Sequence, residues 1–253
     1  MQLNNVKAVV TGGVSGLGLG MVRHILQAGG QAVALDVNDE AGKVVESELG
    51  ARYLHTDVTS EAEVTRSVDQ AAEAMGGMNV AVNCAGILGA GRVLGREAPM
   101  PLEFFSKTIM VNLVGSFNVA KTAASVMQNN EPGEDGERGV IISTASVAAY
   151  EGQIGQAAYS ASKGGIVGMT LPMARELARF GIRVMTIAPG IFWTPMVDGM
   201  PEHVQESLAA SIPFPSRLGQ AEEYAELAAT IIGNTYLNGT TIRLDGAVRL
   251  APK

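Results

Sequence analysis

The 253-residue sequence contains one cysteine and three histidines, and these scarcities remove whole classes of function. Cys84 alone closes no internal disulfide, so the chain does not read as a disulfide-stapled secreted scaffold; a reducing, cytoplasmic setting is expected. His24, His55 and His203 show no paired ligand spacing, so no metal site is expected. Basic side chains are also few: 18 Lys and Arg against 25 Asp and Glu give a formal charge of −7. No positive field is available for a phosphate backbone, and no nucleic-acid partner is expected. No run of consecutive apolar residues approaches the ~18 that a membrane span needs, so no membrane association is expected. The first apolar run, residues 6–10, follows Met1 too closely to leave room for a signal or transit segment.

What is abundant is apolar residues, 47%, and glycine, 31 residues spread along the whole length. This is a globular composition, and 253 residues suffice to bury roughly three quarters of the unfolded surface. Short β-rich runs at 7–11, 31–36, 52–54, 79–83, 139–143, 183–187 and 241–244 predict seven strands. Between them apolar residues recur at helical spacing, as in Leu17, Met21, Ile25 and in Val64, Val68, Ala71, Met75. Near-continuous apolar strands alternating with helices imply an α/β fold: one Rossmann-type, doubly wound parallel sheet of seven strands with helices on both faces. No linker divides the chain, so a single domain over 1–253 is expected. Residues 89–101 and 129–138 are rich in Gly, Pro and charge and should be surface loops. Residues 189–201 follow the sixth strand irregularly, and a lid or substrate segment is expected over about 189–215, at the carboxyl edge where such sheets bind ligands.

The chemistry-bearing residues cluster at that edge. After the first strand comes Thr11-Gly12-Gly13-Val14-Ser15-Gly16-Leu17-Gly18, then a helical pattern. Glycines there permit a tight turn and let a pyrophosphate approach a helix N-terminus. An ordinary strand-to-helix turn would also use them, but Asp36 ends the second strand about twenty residues later, placed to accept from ribose hydroxyls. Asp57-Val58 follows the third strand and Asn83-Cys84-Ala85-Gly86 the fourth. Asp57 fits either the nucleotide edge or a cap for the next helix. Cys84 reads as a small packed residue rather than a reactive thiol. Tyr159 and Lys163, four apart, share one helix face, and the ammonium is expected to lower the phenol's pKa toward that of a working acid/base. Ser146, read as ending the fifth strand, offers a hydroxyl to a substrate oxygen. Asn112 lies inside a helical pattern, an unfavourable place unless its amide has a bonding task. Ser143, Ser160 and Ser162 compete as catalytic hydroxyls on the residues alone.

These residues, in this order, resemble the short-chain dehydrogenase/reductase family over essentially the whole chain. The resemblance rests on T-G-G-V-S-G-L-G at 11–18, Asp57, N-C-A-G at 83–86, Asn112, Ser146, Tyr159 with Lys163, and Pro189-Gly190 with Thr194. It implies NAD as cofactor, held by Gly12, Ser15, Gly16, Leu17, Gly18, Asp36, Asp57, Val58, Asn83, Ala85, Gly86, Tyr159, Lys163, Pro189 and Thr194. It further implies that Ser146 holds the substrate oxygen, Tyr159 transfers the proton, Lys163 bonds the nicotinamide ribose, and Asn112 serves a relay water. Longer runs at 145–169, 183–192, 212–219 and 237–247 are similar to the subfamily that oxidises 3-hydroxyacyl-CoA thioesters and forms homotetramers, and the missing leader suggests a bacterial relative. Trp193 stands where that pattern has a small residue, and the 89–101 loop matches poorly. Trp193 and Met196 are read as an apolar lid, and Arg92 and Arg96 as contacts for CoA phosphates or as solvated loop charges. Oxidation of steroid-like or other non-thioester alcohols, 3-oxoacyl carrier-protein reduction, and a nucleotide-binding scaffold without chemistry remain as alternatives.

Overall fold

The computed structural model describes residues 1–198 and 201–252. In chain order the elements are β1 (Lys7–Thr11), α1 (Gly16–Gln27), β2 (Gln31–Asp36), α2 (Asp39–Leu49), β3 (Arg52–His55), α3 (Glu61–Met75), β4 (Val80–Asn83), α4 (Leu102–Ile109) and α5 (Gly115–Met127). They continue with β5 (Gly139–Thr144), α6 (Ala157–Leu177), β6 (Ile182–Pro189), α7 (Pro195–Asp198), α8 (Glu202–Ala210), α9 (Ala221–Gly233) and β7 (Thr241–Leu244). Each strand lies within two residues of its predicted bounds. All pair in parallel, in the order β3-β2-β1-β4-β5-β6-β7.

The middles of β1, β2, β4 and β5 are apolar because both faces of the sheet are covered. Successive side chains of a strand point to opposite faces. Val10, Val82, Ile142 and Ile187 accordingly pack in one core with Met21 and Ile25 of α1, Val45 of α2, and Tyr224 and Ile231 of α9. Their neighbours Val9, Ala81, Ile141 and Val184 pack on the other side with Val64 and Val68 of α3, Val119 and Met127 of α5, and Ala174 of α6. A fully buried Val or Ile stabilises by ~1.5–3 kcal/mol, so neither face tolerates a polar strand residue without a bonding partner.

The helical run Leu102–Met127 is 26 residues long, and its most apolar stretch has mean hydropathy 1.2, enough for a membrane span by length and composition alone. Half of that stretch is buried inside the protein. Asn112, Ser116, Asn118 and Thr122 are buried within the run and hydrogen-bond protein groups. It is a core helix, and it is interrupted by a π turn at Met110–Val114. The loops predicted at 89–101 and 129–138 are largely exposed. The stretch expected to be irregular, 189–201, carries the short α7, and α8 follows within the expected lid segment; Gly199 lies outside the described residues, as do the side chain of Met196 and that of Pro195.

The strand order reverses between β1 and β4, which opens a crevice at their carboxyl ends. There the glycine-rich turn and the segment after β4 meet. Gly12 holds φ +64°, and a Cβ on it would come within 2.9 Å of Ala85 N. A Cβ on Gly18 would collide with the Gly12 carbonyl. The sequence thus needs glycine at these two positions for backbone approach, and the approach fixes one wall of the site.

Candidate active site

Ser146, Tyr159 and Lys163 converge on a cavity of about 230 Å³ at the carboxyl ends of β4, β5 and β6. Leu17, Gly86, Pro189 and Thr194 line the same cavity. Tyr159 stands in the first turn of α6, and Lys163, one turn on, is 5% exposed. Lys163 Nζ donates to the Thr144 carbonyl at 2.8 Å and sits 5.7 Å from the centre of the Tyr159 ring. Burial lowers the Lys163 ammonium to about 8, partly opposed by Cys84. Burial also pushes the Tyr159 phenol above its ordinary value, and a hydrogen bond with Ser146 pulls it back. Cys84 hydrogen-bonds Tyr224 Oη at 3.6 Å and Thr144 Oγ1 at 3.5 Å, and burial raises its thiol. It is a packed residue, as expected.

Asn112 sits in the π turn with its amide fully engaged. Its Oδ1 accepts from Ile87 N at 2.8 Å, and its Nδ2 donates to Ile87 O at 2.9 Å and to Ser162 Oγ at 3.0 Å. Its own carbonyl accepts from Ser116 Oγ at 2.7 Å. Single π turns inside α-helices recur at functional sites, and here the turn carries the one buried Asn that ties Leu102–Met127 to the segment after β4. A Cβ on Gly86 would fall 3.2 Å from Asn112 Oδ1 and 3.6 Å from Lys163 Nζ. The absence of that carbon keeps the floor of the cavity open.

Asp36 and Asp57, expected at the edge that would hold a dinucleotide, lie at the end of β2 and just after β3. Asp36 ends β2, and its Oδ1 accepts from Asn38 N at 3.1 Å. Asp57 Oδ1 accepts from Thr59 N and Thr59 Oγ1, at 2.9 and 2.8 Å. Asn118 Nδ2 donates to the Val58 carbonyl at 3.0 Å, joining the segment after β3 to α5.

The model of the short chain dehydrogenase family matches residues 6–205. This chain belongs to that family. Over 255 aligned residues it is 53% identical to the 3-hydroxyacyl-CoA dehydrogenase type-2 of Bos taurus, covering 99% of this chain and 98% of the relative. The Homo sapiens protein of the same name is likewise 53% identical with the same coverage. The crystal structure of 3-hydroxyacyl-CoA dehydrogenase type-2 from Mycobacterium avium superposes with a TM-score of 0.93 at 44% identity, covering 99% and 98% of the two chains.

For a short-chain dehydrogenase the site departs from the sequence reading in several particulars. Ser146 does not end β5: the strand stops at Thr144, and Ser146 begins the short 3-10 turn Val147–Ala149, its Oγ accepting from Ala148 N at 3.1 Å. Asp57 does not cap the next helix. Ser60 caps α3 through Glu63 N, and Asp57 folds the turn before it. The Tyr159 phenol stands above its ordinary value because it is buried, while the Lys163 ammonium, itself lowered by burial, is aimed at the Thr144 carbonyl. Trp193 does not line the cavity. It borders an adjoining cleft of about 240 Å³, which shares Thr194 with the cavity, together with Gly16, Gly20 and Arg23 of α1, and its backbone N–H donates to the Gly219 carbonyl. Asn83 is buried; its Nδ2 donates to Ser116 O and Ser143 Oγ, bracing β4 against β5 and α5, and its Oδ1 has no hydrogen-bond partner among the described residues. Arg92 and Arg96 are exposed on their loop and line none of the cavity.

The sequence reading missed the apolar wall, formed by Ile87, Leu88, Phe192 and Val197. Two of these directly follow N-C-A-G; an apolar pair opening a loop otherwise rich in Gly and Arg was the available signal. It also missed Thr144, whose carbonyl holds Lys163. No side-chain pattern marks a backbone acceptor.

Proposed function

We propose that this short-chain dehydrogenase oxidises 3-hydroxyacyl-CoA thioesters to 3-oxoacyl-CoA with NAD, using Tyr159 as the proton-transfer group. The convergence of Ser146, Tyr159 and Lys163 on one cavity carries the reading. Full-length identity of 53% to enzymes of that name supports the substrate. The residues present fit the cofactor: a β1 turn in which Gly12 and Gly18 leave no room for a Cβ, and a carboxylate, Asp36, at the end of β2. Gly12, Ser15, Gly16, Leu17 and Gly18 would face the pyrophosphate, Asp36 the adenosine ribose, Asp57 and Val58 the adenine, and Ala85, Gly86, Pro189, Thr194 and Lys163 the nicotinamide end. When bound, the nicotinamide supplies the hydride acceptor.

Ser146 holds the substrate hydroxyl and Tyr159 takes its proton as the carbinol carbon becomes a ketone. A tyrosinate is the competent base, and burial alone disfavours it. The hydroxyl of Ser146 offsets that penalty by donating to the phenolate, and turns its one proton to the substrate oxygen as Tyr159 becomes protonated. Lys163, still predominantly protonated at pH 7 with a pKa of about 8, keeps a positive charge in the cavity wall. The apolar wall of Ile87, Leu88, Phe192 and Val197 receives the acyl chain and excludes water from the reacting carbon.

The test of substrate class is a comparison of 3-hydroxyacyl-CoA esters with the free 3-hydroxy acids and simple secondary alcohols. The thioesters should show the higher kcat/KM. Arg92→Ala with Arg96→Ala should mainly raise KM for the thioester, since contacts to remote phosphates are largely uniform binding. Free alcohols processed as well as thioesters would remove CoA from the reading.

We further infer a homotetramer with one interface on Leu102–Met127 and α6. Met110, Val114, Phe117 and Leu171 are exposed apolar residues on these helices. They adjoin a groove of about 290 Å³ lined by Phe117, Met173, Leu177 and Phe180. Light scattering at micromolar concentration should return four times the 26.3 kDa chain mass; a monomer would refute the assembly.

A further inference from the structure

We propose that Ser162 is a positioning residue: through Asn112 it fixes Tyr159 relative to the segment after β4, and it does so for the reaction proposed above. Ser162 is fully buried and is not part of the cavity lining. Its hydroxyl donates to the Tyr159 carbonyl at 2.7 Å and accepts from Asn112 Nδ2 at 3.0 Å. A hydroxyl carries a single proton. With that proton committed to Tyr159, the oxygen acts toward Asn112 only as an acceptor, so the NH₂ end of the amide is the end that faces α6. Oδ1 is then left to accept from Ile87 N, while the second N–H meets Ile87 O. One buried amide and one hydroxyl thus join three separate segments: the loop leaving β4, the π turn, and the first turn of α6.

A serine inside a helix often satisfies itself by bonding a carbonyl three or four residues back, and that habit alone would give Ser162 no more than a local role. The acceptor bond from Asn112 distinguishes this serine, because it comes from a residue fifty positions away in another element. Ile87, from the segment after β4, and Tyr159, from α6, both line the cavity. The Ile87–Asn112–Ser162–Tyr159 chain therefore sets the distance between the wall against which the substrate lies and the phenol that takes its proton. Lys163, the next residue, is held separately by Thr144, so loss of the Ser162 hydroxyl leaves the lysine's anchor in place.

The experiment is a double-mutant cycle of Ser162→Ala and Asn112→Ala, with kcat measured against whichever secondary alcohol the unmodified protein oxidises, and NAD affinity by titration. Ser162→Ala should lower kcat on the order of tenfold, below the ~10²-fold that a misplacement of about 1 Å costs, with NAD affinity within twofold. In the Asn112→Ala background the same change should cost less than twofold more, because the chain is already cut. Should the alanine variant not accumulate as folded protein, Ser162→Cys, which keeps the volume but is a weak donor and acceptor, carries the same expectation. A kcat within twofold of the parent, an equal further loss in the Asn112→Ala background, or a parallel fall in NAD affinity would each overturn the assignment. If thioesters are not substrates, the substrate reading falls alone, since the cycle is run on the alcohol that is.

Discussion

Tyr159→Phe should lower kcat by about 10²- to 10⁴-fold, the range that one positioned acid/base supplies, while NAD affinity stays within a few-fold of the parent. The ring remains, so its packing in the cavity wall and the cation 5.7 Å from its centre remain. What is lost is the transferable proton and the bond to Ser146. The size of the effect follows from the surroundings. Lys163 is held by the Thr144 carbonyl, and Asn112 by Ile87 and Ser162, so neither moves in to replace the phenol. Turnover of Tyr159→Phe within about tenfold of the parent would show that another group, or water, takes the proton. Steady-state kinetics paired with an NAD titration checks both halves of the prediction.

The unmodified protein should favour NAD over NADP by ten- to a hundredfold or more in kcat/KM, and Asp36→Ala should weaken NAD binding and narrow that ratio. Unit charges 4 Å apart interact by about 4 kcal/mol at an effective dielectric of 20. Asp36 is only partly buried, so solvent screening reduces the repulsion against a 2′-phosphate to about 1–3 kcal/mol, one to two powers of ten. The surroundings add no relief. Val14, Ser15, Val37 and Asn38 carry no charge, and the nearby Asp39 is a second carboxylate, held below the ordinary range by Tyr53 and His55. The lysine on this helix, Lys43, is an exposed partner of Glu40. Arg placed at position 37 of the Asp36→Ala variant should move the preference further toward NADP. Equal kcat/KM for the two cofactors in the parent would show that Asp36 does not face the ribose.

The sequence by itself determined the strands, their parallel pairing and the Ser146, Tyr159 and Lys163 that line the cavity, though not its apolar wall. Runs such as 8–10 and 140–142 are apolar at every position, and only a sheet covered on both faces buries such runs; the core residues Val9 and Val10 indeed belong to opposite faces. Tyr159 and Lys163 were legible because four residues make one helical turn, and Gly12 and Gly18 because only glycine survives the backbone approach there. Tertiary structure alone decided how these groups are oriented and charged. Trp193 turns to a cleft beside α1, Ser146 lies two residues beyond its strand, and Lys163 is turned toward a backbone carbonyl and lowered by burial. The role proposed for Ser162 depends on an amide fifty residues away. Periodicity along the chain reports which face a side chain occupies. Which partner it meets across that face, and how far burial shifts its charge, depends on segments distant in sequence that only the folded chain brings within hydrogen-bonding distance.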